Sequence, residues 1–167
     1  MVVFVTGAVR SGKTRYALSR AEALGPRRVY LATAQALDDE MRDRIQRHQA
    51  ERGAGWVTAE VPLAVPAALR SMEGVVLLDC LTLWLSNLYM DGRGPEAVAA
   101  ATRDLAAALA ETAADVVVVS NEVGWGIVPV DAMTRRYRDE LGWLSQAVAA
   151  VASEVWLTVA GLPMRVK

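Results

Sequence analysis

An eight-residue motif near the start of the chain has the spacing of a phosphate-binding loop. It consists of Gly7, Ala8, Val9, Arg10, Ser11, Gly12, Lys13 and Thr14, directly after the apolar run at 2–6. A strand, a glycine-rich turn and a helix direct backbone N–H groups and the positive helix end at one anionic centre. Lys13 can reach the outer phosphates, and the Thr14 hydroxyl can ligate Mg²⁺. The motif predicts a nucleoside triphosphate site and leaves the base unspecified; the alternative, a chance match, is weakened by the correct flanks.

A second nucleotide-binding signal is an apolar segment, 75–78, that is followed directly by Asp79. A carboxylate at the end of a buried strand is typical of a Walker B strand, where it holds Mg²⁺ directly or through water. An Asp in this place also often caps the next helix. Because the phosphate-binding motif is present as well, the metal role is the favoured interpretation of Asp79.

The chain has one histidine, His48, which lies late in a predicted helix crowded with charged residues. Helical spacing places Arg44 one turn before it and Arg52 one turn after it, on the same side. Positive charge disfavours imidazolium, and a neutral imidazole beside a bound phosphate is a potential nucleophile. From spacing alone, a surface histidine on a solvated helix is nevertheless the better interpretation.

One further segment is a candidate wall of a site, and a second carries cations whose expected role is structural. Residues 120–126 begin at the end of a predicted strand, where open α/β sheets place their ligands. In this segment Trp125 is either an exposed stacking surface or a loop anchor, and the sequence does not separate the two. The cations at 135–138 lie near the start of the last long helix, where structural ion pairs are the expected role and contact with an anion is the alternative.

These residues must be positioned by alternating strands and helices, since short β-branched runs recur between longer helical stretches. The pattern predicts an α/β, P-loop NTPase-like three-layer sandwich with a mostly parallel sheet and helices on both faces, as one domain over 1–167. The predicted strands are Val2–Thr6, Val29–Ala32, Val75–Asp79, Val116–Ser120, Val155–Val159 and, at an edge or in a ribbon, Trp56–Val61. The predicted helices are Lys13–Leu24, Asp38–Arg52, Pro66–Met72, Leu83–Met90, Pro95–Thr112 and Met133–Ala152.

Two of these helices carry apolar stripes that predict packing and no chemistry. The stripe of the last helix is Met133, Tyr137, Leu141, Leu144 and Val148. That of the alanine-rich helix is Val98, Leu105 and Leu109.

Composition narrows the functional class. The 167 residues are 53% hydrophobic and 22% charged, which is enough to bury one substantial core. A net charge of −1 gives no basic footprint for nucleic acid, so a small-molecule substrate is expected. The single cysteine, Cys80, excludes an intrachain disulfide and is compatible with a reducing cytoplasm. The first apolar run is too short for a signal peptide or a membrane span, and we therefore expect a cytoplasmic location.

Together the motifs resemble one family nearly from end to end, the bifunctional adenosylcobinamide kinase and adenosylcobinamide-phosphate guanylyltransferase of cobalamin biosynthesis. The resemblance rests on 7–14, Ala32-Thr33-Ala34, Asp39-Glu40-Met41, Arg44-Ile45, His48, Trp56, Thr58, Glu60, Asp79-Cys80-Leu81-Thr82, Ser120-Asn121-Glu122-Val123-Gly124, Pro129, Arg135, Tyr137-Arg138-Asp139 and Ala160-Gly161-Leu162-Pro163. Two positions depart from the family pattern: Ala8 stands where a glycine is usual, and Ser145 where an asparagine is common.

The resemblance implies two reactions. ATP or GTP phosphorylates adenosylcobinamide, and GMP then passes from GTP through a covalently guanylylated His48 to the phosphate, giving adenosyl-GDP-cobinamide. Lys13 and the phosphate-binding loop would hold the leaving pyrophosphate, with Mg²⁺ on Thr14 and Asp79. Implied nucleotide contacts are Ala32, Thr33, Ala34, Gln49, Ala50, Glu51, Arg52 and Thr82, with Glu60 as a reader of guanine, because a carboxylate accepts from both N1–H and the exocyclic amine.

The resemblance also implies a homo-oligomer, for which a trimer is our preferred order, and a site completed by a neighbouring subunit. Two other hypotheses compete with this function. A simple P-loop kinase would move the γ-phosphate directly and make no covalent use of His48. A regulatory GTP-binding module would use the nucleotide as a conformational switch, although the Asn-Lys-x-Asp guanine-reading motif is absent from the sequence.

Overall fold

A computed structural model describes the backbone of all 167 residues and every side chain except those of Arg44 and Glu51. Its strands are β1 (Val2–Gly7), β2 (Arg28–Ala32), β3 (Trp56–Glu60), β4 (Val75–Asp79), β5 (Asp115–Asn121), β6 (Glu154–Val159) and β7 (Leu162–Arg165). Its helices are α1 (Lys13–Leu24), α2 (Asp39–Glu51), α3 (Val65–Ser71), α4 (Leu81–Met90), α5 (Pro95–Glu111) and α6 (Ala132–Val151).

The strands form one sheet in the order β3-β2-β4-β5-β1-β6-β7. Strands β1 to β6 pair in parallel, and only β7 pairs antiparallel, with β6, across the described backbone. Parallel neighbours need long crossover connections, which the helices supply. The carboxyl ends of the six parallel strands therefore lie at the same edge of the sheet, where ligand sites of open α/β sheets are found.

Apolar side chains cover both faces of the sheet. On one face Val3, Val5 and Leu77 pack with Ala17 and Ala21 of α1. On the other face the alternate strand residues pack against the apolar sides of α3, α4, α5 and α6. This alternation follows from the two-residue period of a strand, and it confirms the predicted three-layer sandwich with helices on both faces.

Most predicted elements are present with ends shifted by one or two residues. The segment at Trp56 is an edge strand, one of the two predicted alternatives, since β3 pairs only with β2. Strand β7 was not predicted, because it lies just after the tight turn at Ala160 and Gly161, whose φ angles are 51° and 83°. Left-handed conformations at both central residues are typical of a two-residue hairpin turn. No helix of the described residues is long and apolar enough to span a bilayer.

The predicted packing stripes are confirmed with one exception. Leu141, Leu144 and Val148 are buried on α6, and Tyr137 is half-buried. The stripe of α5, at Val98, Leu105 and Leu109, is also buried. Met133 was predicted to be buried as part of the α6 stripe, and this prediction is wrong, because its side chain is 68% exposed. The first turn of α6 projects beyond the layer that covers the sheet, since residues 132–134 are all exposed.

Candidate active site

A cleft of about 790 Å³ opens at the carboxyl edge of the sheet, between the phosphate-binding loop, the ends of β2, β3 and β4, and α2. We call it the main cleft. The predicted site residues that line it are Val9, Arg10, Ser11, Gly12, Lys13, Thr14, Ala32, Ala34, His48, Gln49, Arg52, Glu60 and Asp79. Segments that are far apart in the sequence therefore meet at one surface, because each follows a parallel strand or the helix after it.

The phosphate-binding loop depends on two glycines. A Cβ on Gly7 would lie 2.4 Å from Thr158 Oγ1, so no larger residue fits between β1 and β6. Gly12 has a φ of 92°, and a Cβ there would lie 3.0 Å from the Cα of Gly161. Both the left-handed conformation and the close approach favour glycine. The spacing of the motif thus reflects steric limits of the fold as well as room for a phosphate.

Hydrogen bonds hold the loop from both sides. Towards β6, the hydroxyls of Ser11 and Thr158 are 2.7 Å apart, and the Gly161 N–H donates to the Ser11 carbonyl at 2.9 Å. Towards β5, the Glu122 N–H donates to the Gly7 carbonyl at 2.9 Å. Within the loop, the largely buried Lys13 donates from Nζ to the Ala8 carbonyl at 3.1 Å. The loop and its cation are therefore organised by the protein alone.

Asp79 lies at the end of β4 and faces the same cleft as Thr14. The Tyr30 hydroxyl donates a hydrogen bond to Asp79 Oδ2. Burial and then the adjacent Asp79 carboxylate raise the pKa of Tyr30, so the phenol stays a neutral donor. A hydroxyl and a carboxylate are hard oxygen donors that suit Mg²⁺, which in such sites takes one or two protein ligands together with phosphate and water oxygens. Thr14 and Asp79 fit that pattern, and the described residues contain no cluster of three acidic, His or Cys side chains that would form an all-protein cage.

His48 reaches the cleft from the last turn of α2. The helix begins at Asp38, whose carboxylate accepts from the Met41 N–H at 2.7 Å, as expected for an N-cap. It ends at Arg52, which is only 7% exposed. The Arg52 guanidinium lies 3.7 Å from the Tyr30 ring centroid, and its Nε donates to the His48 carbonyl at 3.0 Å. Arg52 therefore connects the histidine-bearing turn to β2.

The remaining predicted site residues are placed differently. Thr33 and Thr82 are buried and do not line the main cleft: Thr33 Oγ1 donates to the Cys80 carbonyl at 2.9 Å, and Thr82 Oγ1 accepts from Asn121 Nδ2 at 2.9 Å. Gly7 and Ala8 belong to the loop but not to the lining, and Ala50 is exposed on α2. The side chains of Arg44 and Glu51, which were also predicted near phosphate or nucleotide, lie outside the described residues.

Cys80 follows Asp79 and is 5% exposed. Burial and then the neighbouring Asp79 carboxylate raise the pKa of its thiol to about 11. The thiol is therefore protonated at neutral pH and is not an activated nucleophile. Among the reactive side chains that line the cleft, this leaves His48 as the better nucleophile candidate.

Asn121 lines the cleft, and it belongs to the segment 120–126 that was predicted as a wall of the site. Sequence reasoning gave no role to several other lining residues, above all Tyr30, Arg47 and Thr58. Strand periodicity places Tyr30 on the same face as Ala32, so a role for Tyr30 in the cleft could have been predicted from the sequence. Trp125, which the sequence left open, is 74% exposed and is not a buried loop anchor. Of the α6 cations, Arg136 forms the expected structural ion pair, with its Nε 3.0 Å from Glu140 Oε1, whereas Arg135 donates to the Pro129 carbonyl at 3.0 Å.

A glycine-rich loop between β1 and α1, with an acidic residue at the end of β4, defines an α/β protein that binds nucleotides through a P-loop. The chain belongs to the family described as cobinamide kinase / cobinamide phosphate guanyltransferase, which it matches over residues 3–166. This confirms the resemblance seen in the sequence. The chain is a bifunctional transferase with the two activities in that description.

Relatives support this assignment over 95% or more of their length. The bifunctional adenosylcobalamin biosynthesis protein CobP of Pseudomonas aeruginosa is 46% identical over 166 residues, covering 98% of this chain and 95% of the relative. The proteins named bifunctional adenosylcobalamin biosynthesis protein CobU from Escherichia coli and Salmonella typhimurium are 39% and 41% identical over 186 residues, with all of both chains covered.

Proposed function

We propose that this chain phosphorylates adenosylcobinamide with ATP or GTP and then transfers GMP from GTP to the product through a guanylyl-His48 intermediate. The product would be adenosyl-GDP-cobinamide, an intermediate in adenosylcobalamin synthesis. One observation carries the covalent step: His48 and the P-loop line the same cleft, although 34 positions separate His48 from Thr14. A nucleotide whose outer phosphates lie on the loop can therefore present its α-phosphorus to the imidazole.

The first half of GMP transfer forms a P–N bond. A nitrogen of His48 attacks the α-phosphorus of GTP, and the bond from that phosphorus to the α,β-bridging oxygen breaks. The electron pair leaves with pyrophosphate, which the backbone N–H groups of the loop and the Lys13 ammonium would hold. Lys13 and the loop are already ordered by contacts within the protein, so little reorganisation is needed when charge develops.

The second half returns the histidine to its starting state. An oxygen of adenosylcobinamide phosphate attacks the phosphorus of the guanylyl group, the P–N bond breaks, and its electron pair returns to the imidazole. Magnesium, which Thr14 and Asp79 would hold, would neutralise charge on the phosphate oxygens. Tyr30 would keep one Asp79 oxygen oriented through its hydrogen bond.

Base recognition in the main cleft is assigned to Glu60. This carboxylate stands at the end of β3, in the same cleft as His48. It can accept from guanine N1–H and from the exocyclic amine, whereas adenine lacks that donor pair. Ala32, Ala34, Gln49 and Arg52 would contact the same nucleotide. The buried Thr33 and Thr82 would act by supporting the wall, and Thr82 does so through Asn121.

The test is covalent labelling. The protein is incubated with GTP carrying label at the α-phosphate and is then denatured, with GTP labelled at the γ-phosphate as the control. Retained α-label that is lost in acid and stable in alkali is expected for a phosphoramidate, and the γ-label should wash away. Kinase activity without any retained α-label would contradict the guanylyl-enzyme and favour direct phosphoryl transfer.

We also propose that the chain works as a homo-oligomer, with a trimer as the preferred order. The resemblance to the family supports this, as do exposed apolar side chains on the segment that leads into α6, where Ile127 and Val130 are each 97% exposed. Light scattering of the purified protein tests it, and a monomer at micromolar concentration would contradict it.

A further inference from the structure

A second cavity, of about 490 Å³, lies on the other side of the P-loop. We call it the outer cavity. It is lined by Arg10, Gly12, Arg15, Leu18 and Gly161. The first three also line the main cleft, whereas Leu18 and Gly161 belong to the outer cavity alone. The loop thus has a cavity on the β6 side and another on the side of β4, β2 and α2.

The walls of the outer cavity suit a nucleoside. Leu18 stands one turn after Arg15 on α1 and supplies an apolar surface beside a guanidinium. Gly161 supplies flat backbone, because it forms the β6–β7 turn and its N–H is bonded to the Ser11 carbonyl at 2.9 Å. Aliphatic and guanidinium groups stack on the faces of aromatic rings, and the arginines also attract the adjoining phosphates.

The two reactions place opposite demands on the nucleotide. Attack by His48 on the α-phosphorus requires the nucleoside of GTP to extend into the main cleft, towards Glu60. Phosphorylation instead requires the γ-phosphorus to face the acceptor hydroxyl. During the kinase step the acceptor hydroxyl must lie before the γ-phosphorus in the main cleft, so a donor nucleoside in that cleft would compete with the acceptor for the same space.

We propose that the phosphate donor of the kinase step binds with its nucleoside in the outer cavity, so that its γ-phosphate points across the P-loop into the main cleft. This inference rests on the proposed function. The cobinamide hydroxyl oxygen then bonds to the γ-phosphorus, the bond to the β,γ-bridging oxygen breaks with its electrons leaving on the nucleoside diphosphate, and the hydroxyl proton passes to solvent. The corrinoid can keep one position for both reactions, while the nucleoside changes sides.

The residues that line the two cavities predict a different base specificity for each reaction. Of the described residues that line the outer cavity, none is a carboxylate, so none reads guanine as Glu60 can. The kinase step is therefore expected to accept adenine and guanine donors alike, and guanylylation of His48 to accept GTP only.

A photoaffinity experiment on the wild-type protein tests the location. 8-Azido-ATP is irradiated with the protein and cobinamide, and the tryptic peptides are mapped. Label is expected on the peptides at 16–20 or 139–165, which contain Leu18 and Gly161, and excess ATP should prevent it. Label confined to the peptide at 53–70, which contains Glu60, would overturn the proposal.

Matched tryptophan substitutions test the function of the cavity. Leu18→Trp fills it, whereas Ser19→Trp adds the same bulk at an exposed position that lines neither cavity. Leu18→Trp should raise the kinase KM for ATP at least about tenfold and leave α-label on His48 within about twofold, with Ser19→Trp changing neither. An unchanged KM, or equal loss of both reactions, would refute the outer site. Absence of α-label in the wild-type protein would instead refute the guanylyl-histidine, and the kinase KM would still report on the cavity.

Discussion

The two sides of the main cleft, the P-loop and helix α2, are anchored to the rest of the protein in very different ways. The P-loop follows β1, whose Val3 and Val5 are fully buried, and it is hydrogen-bonded to β5 on one side and to β6 and the β6–β7 turn on the other. Helix α2, which carries His48, exposes most of its described side chains to solvent. Its carboxyl end is connected to the sheet by Arg52, stacked on Tyr30.

This difference matches the demands on the two sides. The phosphates of every nucleotide that the protein uses must be met by the same donors, and prior ordering of those donors lowers the barrier to phosphoryl transfer. The histidine must instead take GMP from one substrate and deliver it to another. A helix with few buried contacts can be repositioned at a smaller loss of buried area than the loop can.

The largest predicted effect comes from removing the nucleophile. His48→Ala should reduce GMP transfer at least about 10⁴-fold, because no P–N intermediate can form. Kinase activity should stay within about tenfold of wild type, since γ-phosphoryl transfer does not use the imidazole. Separate assays for phosphorylated cobinamide and for GDP-cobinamide measure the two rates. Equal losses would show that His48 serves general nucleotide binding.

Removing the loop cation should instead affect both sides of the comparison. Lys13→Ala deletes a positive charge that faces the phosphates in each reaction, and a single electrostatic donor contributes about 10²- to 10³-fold in kcat. Both activities should fall by that factor. The same two assays apply, with Arg103→Ala, an exposed arginine of α5, as the charge-matched control. An intact kinase rate in Lys13→Ala would contradict a shared P-loop.

Disrupting the contact of Arg52 with Tyr30, which connects α2 to the sheet, should have an intermediate effect on the reaction rates. Arg52→Lys keeps the charge and loses the planar group that stacks on Tyr30, so His48 should be less well placed. We expect guanylylation to slow about tenfold and the kinase rate to change less than about threefold. Tyr30→Phe keeps the ring under Arg52 and removes only the bond to Asp79, which makes it the matched control for the stack. If Arg52→Lys slowed both reactions equally, Arg52 would be a general phosphate ligand.

The sequence predicted the P-loop side of the site more fully than the α2 side. The eight-residue motif and the buried strands around it are determined by local sterics and strand periodicity, which short windows of sequence reveal. The placement of Arg52 on Tyr30 depends on how α2 crosses the end of β2, and no local pattern encodes such a crossing. The prediction that Met133 is buried failed for a related reason, because helical spacing does not reveal where a helix extends beyond the core. Strand β7 was missed because only two residues, Ala160 and Gly161, separate it from β6.

The last prediction concerns folding stability and compares the buried sheet with α2. Leu31 is fully buried in β2, whereas Ile45 of α2 is half-buried at the cleft. Leu31→Ala should lower the free energy of unfolding by about 2–5 kcal/mol, because it leaves a cavity in the sheet. Ile45→Ala should lower it by less than about 1 kcal/mol, since little of the lost contact is with the core. Urea denaturation at constant m-value measures both, and equal costs would show that α2 is anchored as firmly as the buried sheet.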